Sequence, residues 1–230
     1  VFLRWDEVWQ GIWNLFLATQ IDIAKAGLRI RFFCVLLIHG YNGCMEVEII
    51  PAINAETFKE VKEKVRLVEP HAFWVHVDVA DGSFTDVVLW HNPRNLLELT
   101  TPLFIELHLM IDRIDEQIGA WLEPNVRRII FHQEAAQNPN HIIAACRSSN
   151  IQAGIAIRPD TPVDAVLPYL SLVDLVQALA VVPGRAGQEF QKETLSKISA
   201  LRSACPARCR VEADGGITPE IAADIVRAGA

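Results

Sequence analysis

Positive charge is in short supply in this chain. Its 230 residues carry 21 Lys and Arg against 28 Asp and Glu, a formal net charge of -7. General affinity for nucleic acid needs a basic surface, so that class of partner is excluded. An anionic substrate would need a local binding site rather than an attractive overall field. Long apolar runs are missing as well. Phe32 to Ile38 is a run of seven, against the roughly 20 residues needed to cross a bilayer, so no membrane partner is expected. Cysteine is sparse and unpatterned: of five, Cys146 stands alone, and three residues rather than two separate Cys205 from Cys209. Reduced thiols in a cytoplasmic protein are the simple reading. What the chain does have is a hydrophobic fraction of 51%, ample for one large core or two small ones.

Residues 1–44 differ from the rest. They begin with Val1 rather than Met and hold Trp5, Trp9 and Trp13 at a spacing that places them on one helix face. Arg29 and Arg31 before the Phe32–Ile38 run and Asn42-Gly43-Cys44 after it faintly resemble a lipoprotein signal, but the apolar part is short and the preceding segment long. Met45 directly precedes a strand-like run and would serve as a start. The segment 1–44 is therefore expected to lie outside the fold. From Met45 the chain alternates. Strand-like runs at 47–53, 73–79, 103–111, 128–132, 153–157, 172–181 and 210–214 are separated by helical patterns, such as Phe58, Val61, Val65 and Val68, or Leu195, Ile198 and Leu201. Thr218-Pro219-Glu220 reads as an N-cap with Pro at the first helical position. Strand–helix alternation implies a parallel sheet, and seven repeats imply an α/β (β/α)8 TIM barrel over residues 45–230 that stops before its eighth strand. Seven strands would leave a seam between the first and the last, and residues 1–44 show no Val- or Ile-rich alternation suited to filling it.

The chemistry concentrates in His76-Val77-Asp78-Val79-Ala80-Asp81-Gly82, His108 and Asp214. His76 and Asp78, two apart in one strand, point to the same face. His108 lies in a second apolar run, and Asp214 closes a third just before Gly215-Gly216. Alone, a His in an apolar strand is more often a hydrogen-bonded core residue, and an Asp before Gly more often a turn former. Together, at three strand ends, they offer a divalent-metal site, because charges buried this densely are costly unless paired or metal-bound. They also supply two carboxylates able to handle protons on opposite sides of one carbon, the requirement of a metal-assisted sugar epimerase.

Six patterns in order, Ile50-Pro51-Ala52-Ile53, His76 to Gly82, His108-Leu109-Met110, Phe131-His132-Gln133-Glu134-Ala135, Pro183 to Gln188 and Asp214-Gly215-Gly216-Ile217, resemble the ribulose-phosphate 3-epimerase family over about residues 46–230. The resemblance implies a ribulose-phosphate-binding barrel, an isomerase of carbohydrate metabolism acting on a phosphorylated ketose. It implies one divalent ion (Zn, Fe, Mn or Co) held by His76, Asp78, His108 and Asp214, with Asp78 and Asp214 exchanging the roles of base and acid. Substrate contacts would come from His108, Met110, Gly184, Arg185, Ala186, Gly187, Gly215 and Gly216. The family's usual Phe and Gly are replaced here by Arg185 and Ala186, its usual Ser by Ala52, and two usual Met residues by Ala80 and Leu179. These departures touch the substrate rather than the metal. Ribulose 5-phosphate is the expected substrate. A six-carbon ketose phosphate such as allulose 6-phosphate, or sugar-phosphate binding without turnover, is the alternative. A decarboxylase or aldolase on a related barrel would need an Asp-x-Lys-x-x-Asp run, and no Lys lies between Asp78 and Asp81. His132 and Glu134 read as structural support. Oligomeric state is left open, a homo-oligomer included.

Overall fold

In the computed structural model, residues 33–41 and 44–230 are described. Trp5, Trp9, Trp13, Arg29, Arg31 and the Asn42-Gly43 pair lie outside them. Eight strands close a barrel in chain order. They are β1 (Phe33–Tyr41), β2 (Cys44–Ile53), β3 (Trp74–Ala80), β4 (Phe104–Met110), β5 (Val126–His132), β6 (Gln152–Ile157), β7 (Leu175–Leu179) and β8 (Arg210–Asp214). Neighbours from β2 to β8 run parallel. These are the seven strands read from the sequence, arranged as expected for a (β/α)8 barrel that stops before its eighth parallel strand.

The seam expected between the first and last of them is closed. β1 pairs antiparallel with β2 from Phe33↔Ala52 to Tyr41↔Cys44, and antiparallel with β8 from Leu36↔Ala213 to Ile38↔Val211. The expectation that nothing before Met45 could fill the gap is thus corrected. The error lay in looking for alternation: a short continuous apolar run is also a strand signal, and Phe33 to Ile38 supplies one.

Among the described residues, four α-helices cover the outside: α1 (Phe58–Val68), α2 (Pro139–Ser148), α3 (Thr194–Ala204) and α4 (Pro219–Ala228). α1 starts where the sequence dictates. Thr57 caps it, its hydroxyl accepting from Glu60 N–H while the Glu60 carboxylate accepts from Thr57 N–H, a reciprocal pair of which the cap alone is worth about 1 kcal/mol. Val61, Val65 and Val68 face inward. Elsewhere, between β3 and β4, β4 and β5, and β6 and β7, short 3-10 turns replace full helices. Among the described residues, no helix is long and apolar enough to cross a membrane.

Alternation divides the strands between two environments. Val75, Val77, Val79, Ile105, Leu107, Leu109, Ile129 and Phe131 face the helices and join their apolar sides in one continuous core. The residues between them face the barrel axis, and there the interior is polar: His76, Glu106, His108, Arg128, His132, Gln177, Glu212 and Asp214 are all buried. Burial of so many polar groups requires that each find a partner.

Candidate active site

The C-terminal ends of β3, β4 and β8 bring His76, Asp78, His108 and Asp214 together. One donor atom from each lies within 4.8 Å of the others. His76 Nε2 is 3.4 Å from Asp78 Oδ1, His108 Nδ1 is 3.0 Å from Asp78 Oδ1, and His108 Nδ1 is 3.6 Å from Asp214 Oδ2. Donors bound at ~2.1 Å around a tetrahedral ion stand about 3.4 Å apart, so small side-chain movements would let one ion meet all four.

Hydrogen bonds behind the cluster set the direction of both rings. His76 Nδ1 lies 2.6 Å from Glu106 Oε1, and Glu106 in turn accepts from Arg128. That leaves His76 Nε2, fully buried, without a hydrogen-bond partner and facing the cluster. His108 is backed by a different chain. Its Nε2 lies 2.9 Å from His132 Nε2, and His132 Nδ1 lies 3.2 Å from Glu134 Oε2. Glu134 also accepts from the backbone N–H of Arg158 and from the Thr161 hydroxyl. With the His132 proton on Nδ1, His108 donates from Nε2 and turns a lone pair on Nδ1 toward Asp78 and Asp214. Burial, with the opposing pull of Glu134, leaves the His132 imidazole at about 4, neutral as that arrangement requires. Glu134 would be raised by burial, but its hydrogen bonds bring it down to about 2.

The electrostatics show that the cluster is short of positive charge. Burial alone would lower His76, yet the carboxylates of Asp78 and Glu106 raise it well above its ordinary value. Burial opposes ionisation of Asp78, but the rings of His108 and His76 outweigh it and hold the carboxyl well below the usual range. Asp214 is raised, by burial first and by the charge of Asp78, against the pull of His76. Glu212 is raised by burial and by Glu106. Four carboxyls thus surround a region that holds the guanidinium of Arg128, and protons are drawn onto Asp214, Glu212 and His76. A divalent ion can replace those protons. The unpartnered His76 Nε2 and the mixed His/carboxylate donors both fit such an ion.

A cleft opens above the cluster. Asp78, His108, Asp214, Met110, Gly184, Arg185, Ala186, Gly215 and Gly216 line it; Gly187, although in the same loop, does not. Gly216 has φ +67, and a Cβ there would run into the backbone of Phe190, so glycine is needed for the close approach. Arg185 NH2 lies 3.0 Å from Asp86 Oδ2, both side chains being about three-quarters exposed. The guanidinium therefore has a carboxylate partner at the cleft's rim.

Sequence reasoning missed Asn54, whose Nδ2 donates to Asp78 Oδ2 (3.2 Å) and to Gly184 O (3.3 Å), tying the β3 carboxylate to the glycine loop. Its position, directly after β2, was the available signal. Missed too were Glu106, Arg128, Gln177 and Glu212. The period of two would have found three of them: Glu106 precedes His108, Glu212 precedes Asp214 and Gln177 precedes Leu179, each by two residues on the inward face.

Barrel and cluster define a class, an α/β barrel with a His/carboxylate centre at the C-terminal ends of its parallel strands. Residues 48–230 match the model of the ribulose-phosphate 3 epimerase family. A ribulose-phosphate 3-epimerase of Chlamydia muridarum is 33% identical over 191 residues, covering 80% of this chain and 84% of that protein. One of Mycobacterium bovis is 34% identical over 186 residues, covering 79% and 80%. A chloroplastic ribulose-5-phosphate-3-epimerase of Arabidopsis thaliana is 30% identical over 192 residues, covering 80% and 68%. The chain belongs to the ribulose-phosphate 3-epimerase family and is an isomerase.

Proposed function

We propose that this chain interconverts D-ribulose 5-phosphate and D-xylulose 5-phosphate by moving a proton at C3, with one divalent ion held by His76, Asp78, His108 and Asp214. The observation that carries the reading is the convergence of these four donors from three strand ends, with His76 Nε2 buried, without a hydrogen-bond partner and facing the others. Membership of the family supports the substrate.

The C3 proton lies next to the C2 carbonyl and is acidic enough for a carboxylate to remove if the developing negative charge is stabilised. When bound, the ion supplies that stabilisation as a Lewis acid. Asp78, the more readily ionised of the two carboxyls, takes the proton from one face, and Asp214, shifted toward its protonated form, delivers one to the other. In the reverse direction the roles exchange. Asn54 holds Asp78 in place by its amide hydrogen bond. At the other end of the cleft, the turns at Gly184 and at Gly215-Gly216 offer backbone N–H groups to the phosphate. Arg185, Ala186 and Met110 line the same cleft, and in this reading Met110 packs under the sugar.

Stripping the protein with a chelator is expected to abolish conversion of ribulose 5-phosphate, and adding back Zn(II), Fe(II), Mn(II) or Co(II) to restore it, since the donor set suits all four. A coupled assay for xylulose 5-phosphate reads this directly. Undiminished turnover in protein shown by elemental analysis to hold no metal would sink the metal-assisted reading. Faster turnover of allulose 6-phosphate would move the assignment to the six-carbon substrate.

A further inference from the structure

Beneath the four-residue cluster lies a second polar layer that the proposed chemistry does not use. Glu106, Arg128, Gln177 and Glu212 are fully buried on the barrel axis. His76, Glu106 and Glu212 form a second grouping with donor atoms within 4.8 Å of one another, and the cation within it is the guanidinium of Arg128. That guanidinium is fixed on several sides. NH1 donates to Glu106 and lies 3.9 Å from Glu212 Oε2. Nε donates to Gln152 Oε1 at 3.0 Å. The planar group lies over the Trp74 ring, 4.2 Å from its centroid. A flat, stacked, hydrogen-bonded cation of this kind is a role for Arg rather than for a point-charged Lys.

Glu106 uses both of its oxygens in this arrangement: Oε2 receives Arg128, and Oε1 lies 2.6 Å from His76 Nδ1. The line Arg128–Glu106–His76 therefore ends at His76 Nε2, a buried ring nitrogen that faces the cluster, 3.4 Å from Asp78 Oδ1, and has no hydrogen-bond partner. We infer that Arg128 is a positioning residue for the metal centre: by anchoring Glu106 it keeps the N–H of His76 on Nδ1 and the lone pair of Nε2 directed at the ion. This rests on the proposed reading of His76, Asp78, His108 and Asp214 as ligands. It predicts a function for a charged residue that touches neither substrate nor ion. Outer partners of metal-bound histidines typically change metal affinity by about 10–100-fold when removed.

The test is Co(II) binding to the full chain, measured by competition with a chromophoric chelator and by the visible absorption of the bound ion. Arg128→Met is expected to weaken Co(II) binding by about 10–100-fold and to alter the visible spectrum, while Arg128→Lys, which keeps a cation able to donate to Glu106, recovers part of the affinity. A folded Arg128→Met protein that binds Co(II) with wild-type affinity and spectrum overturns the inference, even if its melting temperature falls, because a merely structural arginine would change stability alone. Should Arg128→Met not fold, the paired variant Arg128→Met/Glu106→Gln removes both charges and leaves neither buried alone. Weak binding by the pair supports the inference, and wild-type binding overturns it. His108→Ala separates the two levels. If it binds Co(II) as tightly as wild type, the ligand assignment itself is wrong. If it loses binding while Arg128→Met does not, only the role of Arg128 falls.

Discussion

Asp78→Asn and Asp214→Asn should each lower kcat for ribulose 5-phosphate by at least about 10²–10⁴-fold, the usual contribution of a positioned acid or base. Asn preserves the shape of each side chain but can neither take nor deliver a proton at C3. Both residues also belong to the proposed ligand set, so the amide removes an anionic donor as well as a proton carrier. Asp78 is the more exposed to this double loss, since His76, His108 and Asn54 all lie against its oxygens. Asp214 is approached by His108 and, from below, by Gln177 Nε2 at 3.4 Å. Neither substitution opens a cavity, so circular dichroism should be unchanged. Steady-state kinetics in both directions check the result. Wild-type turnover by either folded variant would mean that the carboxylate in question is not one of the two proton carriers.

A chain beginning at Met45 should lose most of its cooperative stability. It would lack β1, which borders both β2 and β8, so the barrel would open along two edges at once. Each ladder hydrogen bond contributes about 0.5–1.5 kcal/mol net, and a whole domain is stable by only about 5–15 kcal/mol. Losing the pairing of a nine-residue strand is large on that scale, and the newly bared strand edges invite association. Thermal melts of residues 1–230 and 45–230 compare the two. An equal or higher melting temperature for the shorter chain would show that β1 adds nothing to the barrel.

The sequence made the parallel strands legible because each is bounded by turn signals and because His76, Asp78, His108 and Asp214 stand out against apolar surroundings. Arg210–Asp214 is matched to the residue. Trp74–Ala80 and Phe104–Met110 are matched to within one residue at each end. β1 was obscured for two reasons. Its apolar run lacks alternation, and the Trp-rich stretch before it set residues 1–44 apart as a segment outside the fold. The residues between Tyr41 and Cys44 are nevertheless Asn42-Gly43, the dipeptide with the strongest signal for a two-residue hairpin loop. The layer below the cluster was hidden differently. Glu106, Arg128 and Glu212 are charged residues in strands, ordinarily a sign of a solvent-facing side. Only knowledge of which face turns inward reveals that they are buried. Arg128 pairs in register with Gln152 and Glu106, contacts between separate strands that no local pattern encodes.

The most direct test of the central claim is proton exchange at C3, followed by NMR as the metal-loaded protein equilibrates ribulose 5-phosphate in D2O. Deuterium should appear at C3 of both ketose phosphates as they interconvert, because each passage removes the C3 proton to one carboxylate and returns a solvent-derived one from the other. Interconversion with C3 hydrogen fully retained, or no exchange and no interconversion in folded, metal-loaded protein, would contradict the two-carboxylate account.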